Sequence, residues 1–151
     1  MRKHLLGFTL VLVTAFSGCS LQTVQVGRPA PEFRLADLQG KLVSLEQFKG
    51  KVVVLDFWAT WCGPCRFSMP ELEKIRHEYG SSLTVLAINL QEPLEQVREY
   101  VQSRGLTSTV LLDQDGRVGR AYRSDAIPMQ VLIDKEGIVR HISYGLQAAA
   151  L

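Results

Sequence analysis

Runs of consecutive apolar residues alternate along the chain with stretches in which apolar residues return every three or four positions. The periodic stretches indicate amphipathic helices, one that opens at Cys62 and ends at Gly80, and one over residues 93–104. The runs are typical of strands covered on both faces of a sheet, and they lie at 51–58, 83–89 and 109–112. Strands and helices are therefore predicted to follow one another through the middle of the chain.

Turn signals predict a hairpin at each end of this alternation. Gln39-Gly40-Lys41 separates two short apolar segments, and Lys135-Glu136-Gly137 separates predicted strands at 129–134 and 138–143. Hairpins pair strands antiparallel, whereas helical crossovers pair them parallel. The sequence therefore predicts an α/β domain with a central mixed β-sheet flanked by helices and with an N-terminal β-hairpin.

The first residues divide into a basic, an apolar and a small-residue zone. Arg2 and Lys3 precede an apolar run at 5–16, which is shorter than the roughly 20 apolar residues that cross a bilayer as a helix. This order is typical of a secretory signal, so we predict a signal peptide at residues 1–18. A buried N-terminal helix is the alternative.

The segment Phe16-Ser17-Gly18-Cys19 resembles the lipobox of bacterial lipoproteins, although those proteins prefer Leu at the position of Phe16. The resemblance implies that Cys19 is lipidated and anchors the chain to a membrane, with a free cysteine in an ordinary signal peptide as the alternative. Residues 21–31 contain Pro and Gly and show no clear period. We therefore expect a lipid-anchored tether at 19–31 and a folded domain at 32–151.

Composition and charge limit the classes of function. The 151 residues, 46% of them hydrophobic, suffice for one core, which makes a single domain the expected organisation. Lys and Arg number 17 against 15 Asp and Glu, and without Arg2 and Lys3 the balance becomes 15 against 15. A nearly neutral domain has no large field to attract nucleic acid, so we expect no nucleic-acid partner.

Cys62 and Cys65 are separated by two residues and follow directly on a predicted buried strand. At a helix start, unpaired backbone N–H groups and the helix dipole stabilise a thiolate, which makes Cys62 the expected attacking sulfur. Cys65 is placed to attack the resulting mixed disulfide and release the substrate. Pro64 suits a helix start and stiffens the loop. The pair therefore predicts thiol-disulfide chemistry.

Other uses of a Cys-x-x-Cys pair fit less well. A zinc site needs two further ligands, for which the mature chain offers His77 and His141, and haem attachment needs His at the position of Arg66. A structural disulfide that closes so short a loop gains little entropy. We expect neither a metal nor a cofactor.

The run from Asp56 to Cys65 resembles the active site of thioredoxins, with Trp61, Gly63 and Pro64 in the active-site loop. The chain from Gly27 to Gly145 is similar to the TlpA/ResA group of envelope thiol-disulfide oxidoreductases within the thioredoxin superfamily. This resemblance implies a thioredoxin-like fold with a central strand-helix insertion. Relatives end in a helix, whereas six residues follow Gly145 here, so the C-terminal helix is expected to be short or missing.

The resemblance also implies roles for residues outside the cysteine pair. Asp56 matches the buried acid that takes the proton of the second cysteine, and Ala87 stands where thioredoxins have a lysine near that acid. Pro128 matches the cis-proline that faces the cysteines, but Met129 and Gln130 replace the Thr residues that usually follow it. An Asp that only hydrogen-bonds backbone and an ordinary trans proline are the alternatives.

Further departures concern the surroundings of the cysteine pair. Many envelope relatives have Glu at the position of Ser68, so their acid-dependent specificity is not expected here. We expect Trp58 and Trp61 to pack beside the disulfide, although Trp58 could equally belong to the core. The N-terminal part is also AhpC/TSA-redoxin-like, but peroxiredoxins need Thr where this chain has Ala59, so peroxidase activity is not expected.

The resemblance implies an exported reductase of protein disulfides that is recharged by a DsbD/CcdA-like membrane thiol donor. Apocytochrome c in cytochrome c maturation is one such substrate. Gly63 and Pro64 between the cysteines favour this direction, since thioredoxin itself is strongly reducing. The expected location is the periplasmic or extracytoplasmic side of the cell envelope. A disulfide oxidase or isomerase, and a lipid-anchored binding or metal-delivery module, remain the alternatives.

Overall fold

A computed structural model of the protein describes residues 23–145. Short 3₁₀ turns follow two of its elements, at Leu45–Phe48 and at Gly80–Ser82. The strands and α-helices of this part of the chain are β1 (Arg34–Asp37), β2 (Leu42–Ser44), β3 (Val52–Trp58), α1 (Cys65–Tyr79), β4 (Leu83–Leu90), α2 (Leu94–Arg104), β5 (Thr109–Asp113), α3 (Arg117–Tyr122), β6 (Met129–Ile133) and β7 (Val139–Tyr144).

The strands form one seven-stranded sheet in the order β2-β1-β5-β4-β3-β6-β7. β3, β4 and β5 are parallel neighbours that α1 and α2 connect, whereas the hairpins β1–β2 and β6–β7 are antiparallel. β6 also pairs antiparallel with β3, which places β3 near the middle of the sheet. The predicted α/β fold with a mixed sheet, a thioredoxin-like fold, is confirmed.

Side chains of β3 alternate between the two faces of the sheet, as the pleat of a strand requires. Val53, Leu55 and Phe57 pack into the core that contains α3. Val54 and Trp58 pack on the other face, against α1 and α2. We call this second face the α1 face. Because β3 is buried on both sides, its sequence is almost continuously apolar.

Residues 23–31 pack against the sheet, although the sequence pattern assigned them to a tether. The N–H groups of Gly27 and Ala30 donate to the carbonyls of Val139 and Gly137, at 2.8 and 2.9 Å. Val24 and Ala30 are buried in the core on the α3 side. This segment turns at Gly27 and bonds to the backbone around β7, and it needs no apolar period for these contacts. The folded domain therefore begins before residue 32.

Helix α1 begins at Cys65, three residues later than predicted, because the residues from Cys62 to Pro64 form a turn ahead of it. The other predicted strands and helices agree with the structure to within about one residue at each end. No helix within residues 23–145 is long and apolar enough to cross a membrane. The predicted signal peptide, Cys19 and the C-terminal helix lie outside the described residues.

Candidate active site

The two cysteines are joined by a disulfide at the point where the chain leaves β3 and enters α1. The backbone N–H of Cys65, the first residue of α1, donates to Sγ of Cys62 at 3.2 Å. Both residues are nearly buried, and Cys62 keeps 3% of its surface exposed against 1% for Cys65. Cys62 is thus slightly the less enclosed residue of the pair.

The hydrogen bond to Cys62 Sγ has a chemical consequence for the reduced protein. The first amides of a helix have no intrahelical partner, and they carry the positive end of the helix dipole. After reduction, the Cys65 N–H would donate to a thiolate instead of a neutral sulfur, and such charge-assisted bonds are stronger. The local structure therefore favours a reactive thiolate at Cys62.

The active-site loop leaves its other residues at the surface. Gly63 and Pro64 are exposed, and Trp61 keeps 70% of its surface exposed. Trp58 instead lies fully buried in the cluster that contains both cysteines, with its ring 5.3 Å from that of Tyr100. Trp58 thus belongs to the core and also packs in the cluster of the disulfide, as both predictions for it expect, whereas Trp61 is mostly exposed and lies outside that buried cluster.

A second exposed aromatic residue was not identified from the sequence. Phe67 is the third residue of α1, two positions after Cys65, and it is 70% exposed. Trp61 and Phe67 therefore flank the cysteine pair along the chain as large exposed apolar side chains. We call these two residues the aromatic flanks. Exposed aromatic side chains of this kind are typical of surfaces that contact other proteins.

Asp56 lies fully buried in β3, where it projects toward the α1 face. Burial disfavours its charged form, and a hydrogen bond from Gln130 Nε2, 2.7 Å from Oδ1, partly offsets that effect. The balance raises the pKa of Asp56 to about 7. Ala87 is its register neighbour on β4, so the position of thioredoxin's lysine holds a methyl group. An acid with this pKa can exchange protons near neutral pH.

A small cavity of about 10 Å³ separates Asp56 from α1. Its lining includes Met69, Leu72 and Glu73 on the inner side of the helix that starts with Cys65. A space of that size holds about one water molecule. The buried carboxyl and the second cysteine thus belong to the same layer between sheet and helix.

The peptide bond between Ile127 and Pro128 is cis, the conformer that the resemblance implies. Ile127 packs against the cluster that contains Cys62 and Cys65, so this loop adjoins the disulfide. Pro128 itself is buried, and its carbonyl accepts a hydrogen bond from Gly145 at 2.8 Å. The loop is therefore fixed to the end of β7.

Glu92 is a buried site residue that the sequence analysis missed. Its carboxylate accepts hydrogen bonds from the N–H and Oγ1 of Thr60 at 2.7 and 2.6 Å. Asn89 and Gln96 donate to it at 2.6 and 2.8 Å. Since Thr60 lies two residues before Cys62, Glu92 ties the active-site loop to the start of α2. Its position two residues after a buried strand was the available signal.

The remaining candidate ligands do not converge on the cysteines. His77 lies exposed on α1 beside Glu73, and His141 lies exposed on β7. Among residues 23–145, no three His, Cys, Asp or Glu side chains are grouped so that they could hold a metal ion. Ser68 is buried, and its hydroxyl donates to the carbonyl of Cys65 at 3.3 Å. The candidate site therefore comprises the Cys62–Cys65 pair and two buried acidic residues, Asp56 and Glu92.

Comparisons with known proteins agree with this chemistry. The chain matches the AhpC/TSA family model over residues 26–142. It is 36% identical to the thioredoxin-like protein YneN of Bacillus subtilis, over 96% of this chain and 91% of that protein. It is 38% identical to the thiol-disulfide oxidoreductase ResA of Geobacillus thermodenitrificans, over 81% of this chain and 71% of that protein.

The fold agrees as well. A Chlorobium tepidum protein assigned as the thiol:disulfide interchange protein DsbE superposes with a TM-score of 0.79 and 33% identity, over 85% of this chain and 91% of that one. Sequence, fold and the paired cysteines thus lead to one conclusion. The chain belongs to the AhpC/TSA family within the thioredoxin superfamily and is a thiol-disulfide oxidoreductase of the ResA type.

Proposed function

We propose that the protein is an exported reductase of protein disulfides, lipid-anchored at Cys19 on the extracytoplasmic side of the cell envelope. The observation that carries this proposal is the Cys62–Cys65 pair, with a helix-start amide on Cys62 Sγ and a buried acid, Asp56, on the strand that leads to the pair. The three zones of the N-terminal sequence support export, and the lipobox-like segment that ends at Cys19 supports the anchor.

In the first step, the Cys62 thiolate attacks one sulfur of a substrate disulfide. A Cys62–substrate disulfide forms, the substrate disulfide breaks, and the leaving substrate sulfur takes up a proton. The N–H of Cys65 and the start of α1 stabilise the attacking thiolate. The greater exposure of Cys62 favours it over Cys65 as the sulfur that meets the substrate.

In the second step, Cys65 attacks Cys62 Sγ and restores the Cys62–Cys65 disulfide, which releases the second substrate thiol. Asp56 accepts the proton of Cys65 as a general base, for which its pKa of about 7 is suited. Two electrons have then passed from the protein dithiol to the substrate. A DsbD/CcdA-like membrane thiol donor returns the oxidised pair to its dithiol form by the same exchange chemistry in reverse.

The surroundings of the disulfide fit a protein substrate better than a small one. The aromatic flanks, Trp61 and Phe67, offer exposed apolar surface before and after the pair along the chain. Pro128 lies on a rigid loop that adjoins the cysteines, where an extended substrate segment can contact backbone groups. Cysteines of apocytochrome c before haem attachment are a substrate of this kind, which would give the protein a role in cytochrome c maturation.

The reduction potential of the Cys62–Cys65 pair tests the proposed direction. Trp58 lies in the same packed cluster as the disulfide, so Trp fluorescence in glutathione or dithiothreitol buffers should report its reduction. We expect a potential near or below about −250 mV, on the reducing side of the thioredoxin-like scale. The Cys65→Ser variant cannot form the disulfide and serves as the control.

Two other outcomes would replace this proposal. A potential above about −180 mV would make the protein a disulfide oxidase or isomerase, because such a pair donates its disulfide. No redox transition, together with unchanged function in a Cys62→Ser variant, would leave a binding or metal-delivery module. Lipid labelling that persists in a Cys19→Ser variant would remove the anchor from the proposal.

A further inference from the structure

A row of buried, hydrogen-bonded polar side chains crosses the neighbouring strands β3, β6 and β7. Ser143 on β7 donates its hydroxyl to Gln130 Oε1 at 3.2 Å, and Gln130 on β6 donates Nε2 to Asp56 Oδ1 at 2.7 Å. These residues are register neighbours, Asp56 with Gln130 and Gln130 with Ser143. All three are almost completely buried. The hydrogen bonds therefore run along one row of the sheet.

Packing alone does not explain an amide at this position. Burying an amide costs free energy unless its groups are paired, and an apolar side chain of similar size would fill the same space at no such cost. Both ends of the Gln130 amide are paired here, one with Asp56 and the other with Ser143. Ala87 stands where thioredoxins have a lysine near this acid. The side chain that donates a hydrogen bond to the Asp56 carboxyl is therefore that of Gln130.

We propose that Gln130, oriented by Ser143, is a positioning residue that holds the Asp56 carboxyl and stabilises its ionised form for proton transfer from Cys65. The amide N–H favours the carboxylate because it donates to negative charge. Ser143 matters because it occupies Oε1, which keeps Nε2 turned toward Asp56. A reversed amide would present its oxygen to the carboxylate and favour the protonated acid instead. The inference rests on the proposed role of Asp56 as general base.

The proton balance of this step is simple. Cys65 Sγ gives its proton to Asp56 as it forms the bond to Cys62 Sγ, and the bond between Cys62 and the substrate breaks. Asp56 lines the cavity beside α1, which has room for about one water. A water there could take up the proton from Asp56. Glu73 also lines this cavity, but its pKa of about 2 keeps it ionised throughout the neutral range. The charge of Glu73 therefore stays constant while Asp56 titrates.

The test compares the full-length protein with Gln130→Met, which keeps an unbranched side chain of similar length but has no donor, and with Ser143→Ala. The Asp56 carboxyl is followed by carbon NMR in the oxidised state, where the cysteines do not titrate. We expect the pKa of Asp56 to rise by roughly one pH unit in Gln130→Met and by less in Ser143→Ala. A merely structural role for Gln130 would leave this pKa unchanged, which would overturn the proposal.

The pH dependence of substrate release from the mixed disulfide gives the second readout. The acidic limb should move upward with the pKa of Asp56, so a rise of one pH unit in that pKa should slow release below neutral pH by roughly tenfold. In an Asp56→Asn background, the Gln130→Met change should have no further effect on the profile. If Asp56→Asn itself leaves the profile unchanged, the general base is wrong, while the NMR titration still decides the role of Gln130.

Discussion

Asp56 is held in its ionisation state by two opposing effects, burial and one hydrogen bond. Burial raises the pKa of the carboxyl and the bond from Gln130 lowers it, and the balance leaves that pKa at about 7. The presence of a buried acid at this position could be predicted from the resemblance to thioredoxins. The partner could not, because Gln130 is distant in sequence and meets Asp56 only through the register of β3 and β6. Glu92 was missed for the same reason.

The raised pKa of Asp56 should make stability depend on pH. The pKa is about 7 in the folded protein against 3.8 for an unperturbed Asp, so the stabilising contribution is complete below about pH 4 and is lost as pH rises through 7. The free energy of unfolding of the wild-type protein should therefore fall by up to about 4 kcal/mol between pH 4 and pH 8. An Asp56→Asn variant should not show this fall. Urea denaturation of both oxidised proteins across this range measures the difference. Parallel stability curves would contradict the assignment.

At the scale of elements, Glu73 fastens α1 to the segment between α2 and β5. Its carboxylate accepts the backbone N–H groups of Thr107 and Ser108 at 3.1 and 2.6 Å, and Arg76 donates to it at 3.0 Å. Burial would raise the pKa of Glu73, but these hydrogen bonds outweigh it and lower the pKa to about 2. The sequence predicts both helices well, since each has a clear apolar period. It does not predict the hydrogen bonds between Glu73 and the segment after α2, because those bonds depend on how α1 packs.

Removing this bond should destabilise the protein. Glu73→Ala leaves two backbone N–H groups without their acceptor, so we expect a loss of about 1–3 kcal/mol in the free energy of unfolding near neutral pH. The matched control is Glu71→Ala, which removes an exposed pair with Lys74 and should cost at most about 0.5 kcal/mol. Because the folded pKa of Glu73 is depressed, its contribution should be complete above about pH 4.5 and fade as pH falls toward 2. Equal losses in the two variants would count against the bond.

At the scale of the whole molecule, the sequence predicts the sheet, its helices and the cysteine pair, but it sets the start of the domain too late. A segment without regular secondary structure, such as 23–31, can bond to a neighbouring strand without any apolar period, so its packing leaves little trace in the sequence. Residues such as Gly27 and Pro29 favour a tether on local grounds alone. Long-range hydrogen bonds with Val139 and Gly137 override that local preference.

Two truncations test whether residues 23–31 belong to the domain. A chain that begins at residue 32 loses the buried side chains of Val24 and Ala30 and several backbone hydrogen bonds to its neighbours, including those of Gly27. We expect it to be less stable than a chain that begins at residue 23 by roughly 2–5 kcal/mol, from the usual worth of a few such bonds. Urea midpoints of the two chains give the answer. Equal midpoints would indicate that residues 23–31 do not stabilise the domain and act as a tether.

With the proposed lipid at Cys19, the packed segment would also limit how far the domain can move from a membrane. A tether from Cys19 to residue 32 could reach about 45 Å, whereas the four residue steps from Cys19 to Thr23 span at most about 14 Å. The backbone N–H of Val24 donates to the carbonyl of Ala121 in α3. The short segment that connects Cys19 to the domain would therefore leave it on the face opposite α1. A lipidated protein would then stand close above the bilayer with a restricted choice of orientations. Its donor and its substrates would have to reach the disulfide within that narrow layer.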